Sequence, residues 1–197
     1  MPAAGAGALA ALLLLGAAAQ AAAPTALYHV ELVAIVHGDA EARGSVPSAG
    51  HPPPPRARTL PEPRPESPPG GLARLGREEL RLAALVERAP LPEGARPLGG
   101  FGWRLGAGAL RAGRAVRLDG ELPGLSGMVR LRLGTRLVAE IDARWQPDPA
   151  TPVAHRLRER RPIRLEEAHY FDHPAFGLIL RVRRIEGSPA TSSAGGL

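Results

Sequence analysis

Two neighbouring runs constrain this fold more than anything else in the chain. In residues 127–133, Val129, Leu131 and Leu133 alternate with Arg130 and Arg132. In residues 136–145, Leu137, Ala139, Ile141 and Ala143 alternate with Val138, Glu140, Asp142 and Arg144. A period of two places each set on one face of a strand; wound into a helix, the same sequence would scatter its apolar residues around the cylinder. Gly134-Thr135 between the runs is a turn signal. The pair therefore reads as an antiparallel hairpin with one apolar face and one arginine-bearing face.

The same logic extends along the chain. Residues 27–36 are rich in β-branched side chains and read as a strand ended by Gly38. Residues 101–105 and 115–119 are short candidate strands. Residues 154–165 alternate again, with Arg156, Arg158 and Arg160 on one side. A last hairpin spans about residues 163–185; its second strand, 176–185, turns Leu178, Leu180 and Val182 inward and Arg181 and Arg183 outward. Residues 77–88 form the single helical pattern. Leu82, Leu85 and Val86 share a face there, Ala83 widens it, acidic residues open it, and Pro90 and Pro92 stop it. The fold class expected is α+β: an antiparallel β-sheet built from hairpins with one main amphipathic helix.

Residues 38–71 interrupt this pattern. Four consecutive prolines at 52–55 are followed by Pro61, Pro63, Pro65, Pro68 and Pro69. Proline lacks the backbone donor and fixes φ, so the stretch reads as a linker or loop that stays out of a sheet. The domain is then residues 72–186, with 22–37 contributing its first strand. The small, polar residues 187–197 read as a disordered tail.

Residues 1–21 read as a cleavable signal peptide. An apolar run at 8–15 is too short for a span, and Ala19-Gln20-Ala21 is a small-x-small cleavage site. The alternative is an uncleaved anchor, because the run lengthens if its alanines count. Export sets the context for the charge. All 25 basic residues are Arg, against 19 acidic ones, for a net charge of +6. In an exported protein that charge points to wall carboxylates, lipid headgroups or acidic proteins. Aromatics make up only 4% of the residues, so no stacking platform for nucleic acid accompanies the arginines. There is no Cys, which removes disulfides and thiolate metal sites.

Candidate chemistry is sparse. Ser45, Ser48, Ser67, Ser126 and Ser188 stand in turns, loops or tails with no nucleophile elbow, so no catalytic residue is assigned. His169, Asp172 and His173, with Glu167, are the right types for a metal or acid–base cluster, and a metal-dependent envelope hydrolase is the alternative reading. Against it, Pro174 disfavours a helix at His173, and positions four apart on a strand lie about 13 Å apart. The reading adopted is structural: side chains bonding backbone at a hairpin corner, with Tyr170 packed below and no metal or cofactor. Arg130, Arg132, Arg181 and Arg183, with Arg156 and Arg158, would form a carboxylate-gripping patch if their strands adjoin. Trp103 or Trp145 would stack on a sugar ring.

Residues 165–177 (Leu-Glu-Glu-Ala-His-Tyr-Phe-Asp-His-Pro-Ala-Phe-Gly) carry a resemblance. Preceded by Arg160, Arg161 and Arg164, they hold Glu167, His169, Tyr170, Asp172, His173, Pro174 and Gly177 in the order of the C-terminal signature of the CsiV family. Tyr28-His29-Val30-Glu31 is similar to that family's opening strand, and the hairpin at 125–142 to its central pair. Arg136-Leu137-Val138 and Gly102-Trp103-Arg104 depart from the family's usual segments. The resemblance implies a non-enzymatic periplasmic protein that binds peptidoglycan. It also implies partnership with a bifunctional penicillin-binding protein through its outer-membrane lipoprotein activator, LpoA. It assigns no residue as a ligand contact.

Overall fold

The computed structural model describes residues 26–38, 46–47, 58–59, 71–148, 150 and 153–185. The signal-peptide reading of residues 1–21, the tail at 187–197 and most of the proline-rich stretch lie outside the described residues. Strands β1 (Leu27–Val36), β2 (Val46–Pro47) and β3 (Ala73–Arg74) precede a single 3-10 turn at Arg77–Glu79 and helix α1 (Arg81–Val86). Then come β4 (Arg96–Gly106), α2 (Ala107–Arg111), β5 (Ala115–Arg117), β6 (Leu125–Leu133) and β7 (Leu137–Trp145). β8 (Val153–Ile163), β9 (Ala168–His173) and β10 (Phe176–Ile185) close the domain.

The strands form two five-stranded sheets, ordered β3-β4-β1-β10-β9 and β2-β8-β7-β6-β5, with every paired strand antiparallel. Their apolar faces meet. Val30 and Leu32 of β1, Phe101 and Trp103 of β4, and Leu178 and Leu180 of β10 join Val129, Leu131, Ala139 and Ile141 in one core cluster. Each such Leu or Ile side chain taken from water stabilises by roughly 1.5–3 kcal/mol. The open seam between the sheets is bridged by Arg161, whose guanidinium carbon lies 4.2 Å over the Phe171 ring while Nη2 donates to the Tyr170 carbonyl.

The outer face of the first sheet is covered as well. Val33 and Ile35 of β1 pack against Leu82, Ala83 and Val86 of α1. Glycines make that contact possible: a Cβ on Gly100 would stand 2.7 Å from the Ala83 Cβ, and one on Gly102 2.9 Å from Leu75 and Leu80 methyl carbons. Gly100-Phe101-Gly102-Trp103 thus gives β4 a bare face for the helix and an aromatic face for the core.

Two expectations are corrected, and one further element is added. The helical pattern at 77–88 is broken at Leu80 (φ −81°, ψ 78°), leaving one 3-10 turn and a six-residue helix rather than one main helix. Its packed face is Leu82, Ala83 and Val86, while Leu85 is 58% exposed. The break lets the buried Glu31 carboxylate accept a 2.7 Å bond from Leu82 N–H, satisfying a donor that has no partner inside a helix's first turn. Second, the proline-rich stretch does touch a sheet: β2 pairs with Val153 and Ala154, and Arg58 bridges Val116. Both contacts are at sheet edges, where a proline withholds no ladder bond, and both avoid the consecutive prolines. The further element, α2, was not read from the sequence; five residues rich in Gly and Ala carry too little periodicity.

Candidate functional site

The arginine-bearing face of the second sheet is built by the alternation of β6, β7 and β8. On β7, Leu137, Ala139, Ile141, Ala143 and Trp145 are buried, so Val138, Glu140, Asp142 and Arg144 face outward. Register then sets their neighbours: Arg130 and Arg160 flank Glu140, Arg158 lies opposite Asp142, and Arg156 opposite Arg144. These strands do adjoin, and Arg130, Arg132, Arg156 and Arg158 share one face with Arg160.

That face is not uniformly basic. Arg156 grips Asp142 with both arms of its fork, Nε to Oδ1 at 2.9 Å and Nη2 to Oδ2 at 2.8 Å. This bond, more than the surrounding arginines, holds the Asp142 carboxyl below the usual range despite partial burial. Arg130 Nη1 donates to Glu140 Oε2 at 3.0 Å. Among the described residues, the guanidinium groups of Arg132, Arg136 and Arg160 have no hydrogen-bond or ion-pair partner. They gather at the β6–β7 turn, around a shallow hollow of about 640 Å³ that Arg130, Gly134, Thr135, Val138 and Glu140 complete.

Arg181 and Arg183 lie elsewhere. β10 belongs to the first sheet, so they point to the face of that sheet on which α1 packs, not to the arginine face of the second sheet. The Arg183 side chain is 12% exposed, with Nη2 3.6 Å from the Glu31 carboxylate, and Arg181 Nε donates to the Glu166 carbonyl at 3.2 Å. The two tryptophans are inside. Trp103 is 2% exposed, stacked on Phe101 with ring centroids 5.8 Å apart, out of reach of a sugar. Trp145 packs on His155 and Phe176, and borders a cleft of about 1040 Å³ with His37, Asp119 and Gln146 at one end of the sandwich.

The 165–177 motif builds two turns. His169 Nε2 accepts the Arg164 N–H at 2.9 Å in the β8–β9 turn, where Arg164 also stands 3.5 Å from Glu167. In the β9–β10 turn, Pro174 occupies a corner, and His173 Nδ1 accepts the Ala175 N–H at 3.1 Å. Burial first, and His155 second, push the His173 imidazole below its ordinary range, outweighing the Asp172 carboxylate. Tyr170 and Asp172 point to the opposite face. The Tyr170 hydroxyl bonds His37 Nε2 at 3.1 Å, Asp172 lies 3.6 Å from the same nitrogen, and burial with the nearby Asp172 pushes the phenol up to about 12. Gly177 lies beneath the Tyr170 ring.

Strand alternation takes the alternative cluster apart. Phe171 points into the core between His169 and His173, and Asp172 points away from both. Among the described residues, no group of three or more His, Asp or Glu side chains is placed to hold a metal ion. Nor is any described helix long and apolar enough to cross a membrane.

Sequence reasoning missed Arg136, Glu31 and His37. Arg136 directly follows the Gly134-Thr135 turn at the head of the best alternating run, a position that could have drawn attention. Glu31 and His37 gave no signal, because their partners lie far along the chain.

Residues 134–185 match the model of the CsiV family, described as a peptidoglycan-binding protein. The resemblance read from residues 165–177 therefore holds, and extends from the β6–β7 turn through β10. No curated protein and no solved structure matches the chain.

Proposed function

We propose that this chain is a non-enzymatic periplasmic protein that binds peptidoglycan and assists or regulates cell-wall synthesis. One observation carries the reading: the segment similar to the peptidoglycan-binding family contains β7 and β8, two of the three strands that build the arginine face. Peptidoglycan stem peptides are rich in carboxylates, and the planar guanidinium fork matches a carboxylate in geometry as well as charge. The signal-peptide pattern of residues 1–21 supports the reading, since export would bring the protein to the side of the inner membrane that holds that ligand. Its protein partners on this reading are a bifunctional penicillin-binding protein and an LpoA-type lipoprotein activator.

Co-sedimentation of the mature protein with purified sacculi tests the proposal. The protein pellets with sacculi at about 0.1 M ionic strength, where charges are screened over about 10 Å, and is released near 1 M, where screening falls to about 3 Å. Protein that stays in the supernatant at low salt removes the wall-binding reading. Partnership is tested by co-purification from envelope extracts with either named partner, with and without wall fragments.

A further inference from the structure

We infer that the hollow at the β6–β7 turn is the point at which the protein seats a carboxylate of the wall's stem peptides; the inference rests on the peptidoglycan reading and narrows it to one site. The arginine face divides into two parts. In the middle of β7 two guanidinium groups are already engaged within the protein: Asp142 occupies the Arg156 fork, and Glu140 occupies one arm of Arg130. A fork already filled by an internal carboxylate offers little to an external one. At the turn the balance changes. Four guanidinium groups, Arg130, Arg132, Arg136 and Arg160, line the hollow with a single carboxylate, Glu140. Three positive charges are left without a partner among the described residues.

The positions suit capture of an anion. Arg132 is the penultimate residue of β6, Arg136 immediately precedes β7 and Arg160 is on β8, so the hollow is framed from three directions. Pairing of the three strands fixes the backbone beneath those side chains, while Gly134 leaves the turn side without a Cβ. Glu140 sets an upper limit on the charge accepted. It holds Arg130 in place and repels a multiply charged phosphate more strongly than a single carboxylate. The hollow also falls within the segment similar to the wall-binding family.

The test uses the mature protein and its Arg136→Ala/Arg160→Ala variant, with Arg88→Ala, an exposed charge beyond α1, as the comparison. Sacculi and a stem tripeptide released from them are the probes. We expect the double variant to lose about tenfold in sacculus affinity at about 0.1 M ionic strength, with Arg88→Ala unchanged. The tripeptide should shift the Nε–Hε resonances of Arg136 and Arg160 in the wild type. Arg136→Lys/Arg160→Lys should recover only part of the affinity, because the charge returns without the fork. Unchanged melting temperatures exclude misfolding as the cause. Sacculus binding unaffected by the double variant overturns the site and leaves the wall reading standing. Tripeptide shifts without sacculus binding do the reverse. Equal binding to sacculi with amidated carboxylates, or to phosphatidylglycerol vesicles, overturns the assignment of carboxylate as the ligand group.

Discussion

The Tyr170 ring lies directly over Gly177, its diagonal neighbour on the adjacent strand. A Cβ at position 177 would collide with the Tyr170 hydroxyl and ring edge. The glycine leaves a gap in the face of β10, and the ring covers it while its hydroxyl reaches His37. Gly177→Ala must therefore push the ring out or shift the strand. We expect a loss of about 1–3 kcal/mol in urea denaturation. In a Tyr170→Ala background the same substitution should cost under about 0.5 kcal/mol, because the obstructing ring is gone. Equal costs in both backgrounds would show that Gly177 is required by its backbone alone.

Glu31 is 1% exposed and serves two elements at once, capping Leu82 N–H and facing Arg183. Glu31→Ala leaves a buried guanidinium without its carboxylate and a helix donor without its acceptor. Removing one partner of such a pair costs roughly 3–5 kcal/mol. Glu31→Gln keeps an acceptor for Leu82 and should cost less. The order of the two midpoints in urea checks this; a Gln variant as weak as the Ala variant would mean that charge, not capping, dominates.

The strands of this domain were legible because their signal is local. Each residue of β7 reports its face through its immediate neighbours, and β1 and β10 keep the bounds that their alternation and turn residues predict. Which strands share a sheet was not legible. Alternation says that Arg181 and Arg183 oppose Leu180 and Val182, but not that β10 pairs with β1 across some 150 residues and so joins the other sheet. Alternation therefore put the arginines of β6 and β8 on one side of their strands, but could not tell that β10 belongs to the other sheet. The helix failed for a related reason: the carboxylate that caps α1 sits 51 residues away on β1, beyond any window of periodicity.

The Asp142–Arg156 pair makes one part of the stability pH-dependent. The Arg156 fork holds the Asp142 carboxyl below its unfolded value of 3.8. A depressed carboxyl contributes stability that is present above that value and lost as pH falls through the folded one. Asp142→Asn should lower stability by about 1 kcal/mol at pH 7, in keeping with a partly exposed pair. The gap between variant and wild type should begin to narrow as pH falls below 3.8 and close once it has passed the folded value. Parallel urea titrations stepped down in pH from 7 measure it, and a gap that does not narrow at all below pH 3.8 would assign the loss to packing rather than charge.

His173 adds a second pH window. Its folded pKa lies below the unfolded value of 6.5, through burial first and His155 next. The unfolded chain therefore takes up the proton first, and stability falls as pH drops below 6.5 toward the folded value. The structural cause is specific: Nδ1 accepts the Ala175 N–H, and a proton there ends that bond and sets a positive charge beside the His155 ring. His173→Asn offers an untitratable side-chain oxygen that can accept the N–H two residues on, as asparagine does in turns. The variant should be less stable than wild type at pH 7.5, because it no longer fills the space against Phe176, yet nearly flat between about pH 6.5 and 5. Melting temperatures across that range check it. A wild type as flat as the variant would show that the β9–β10 turn accommodates the imidazolium.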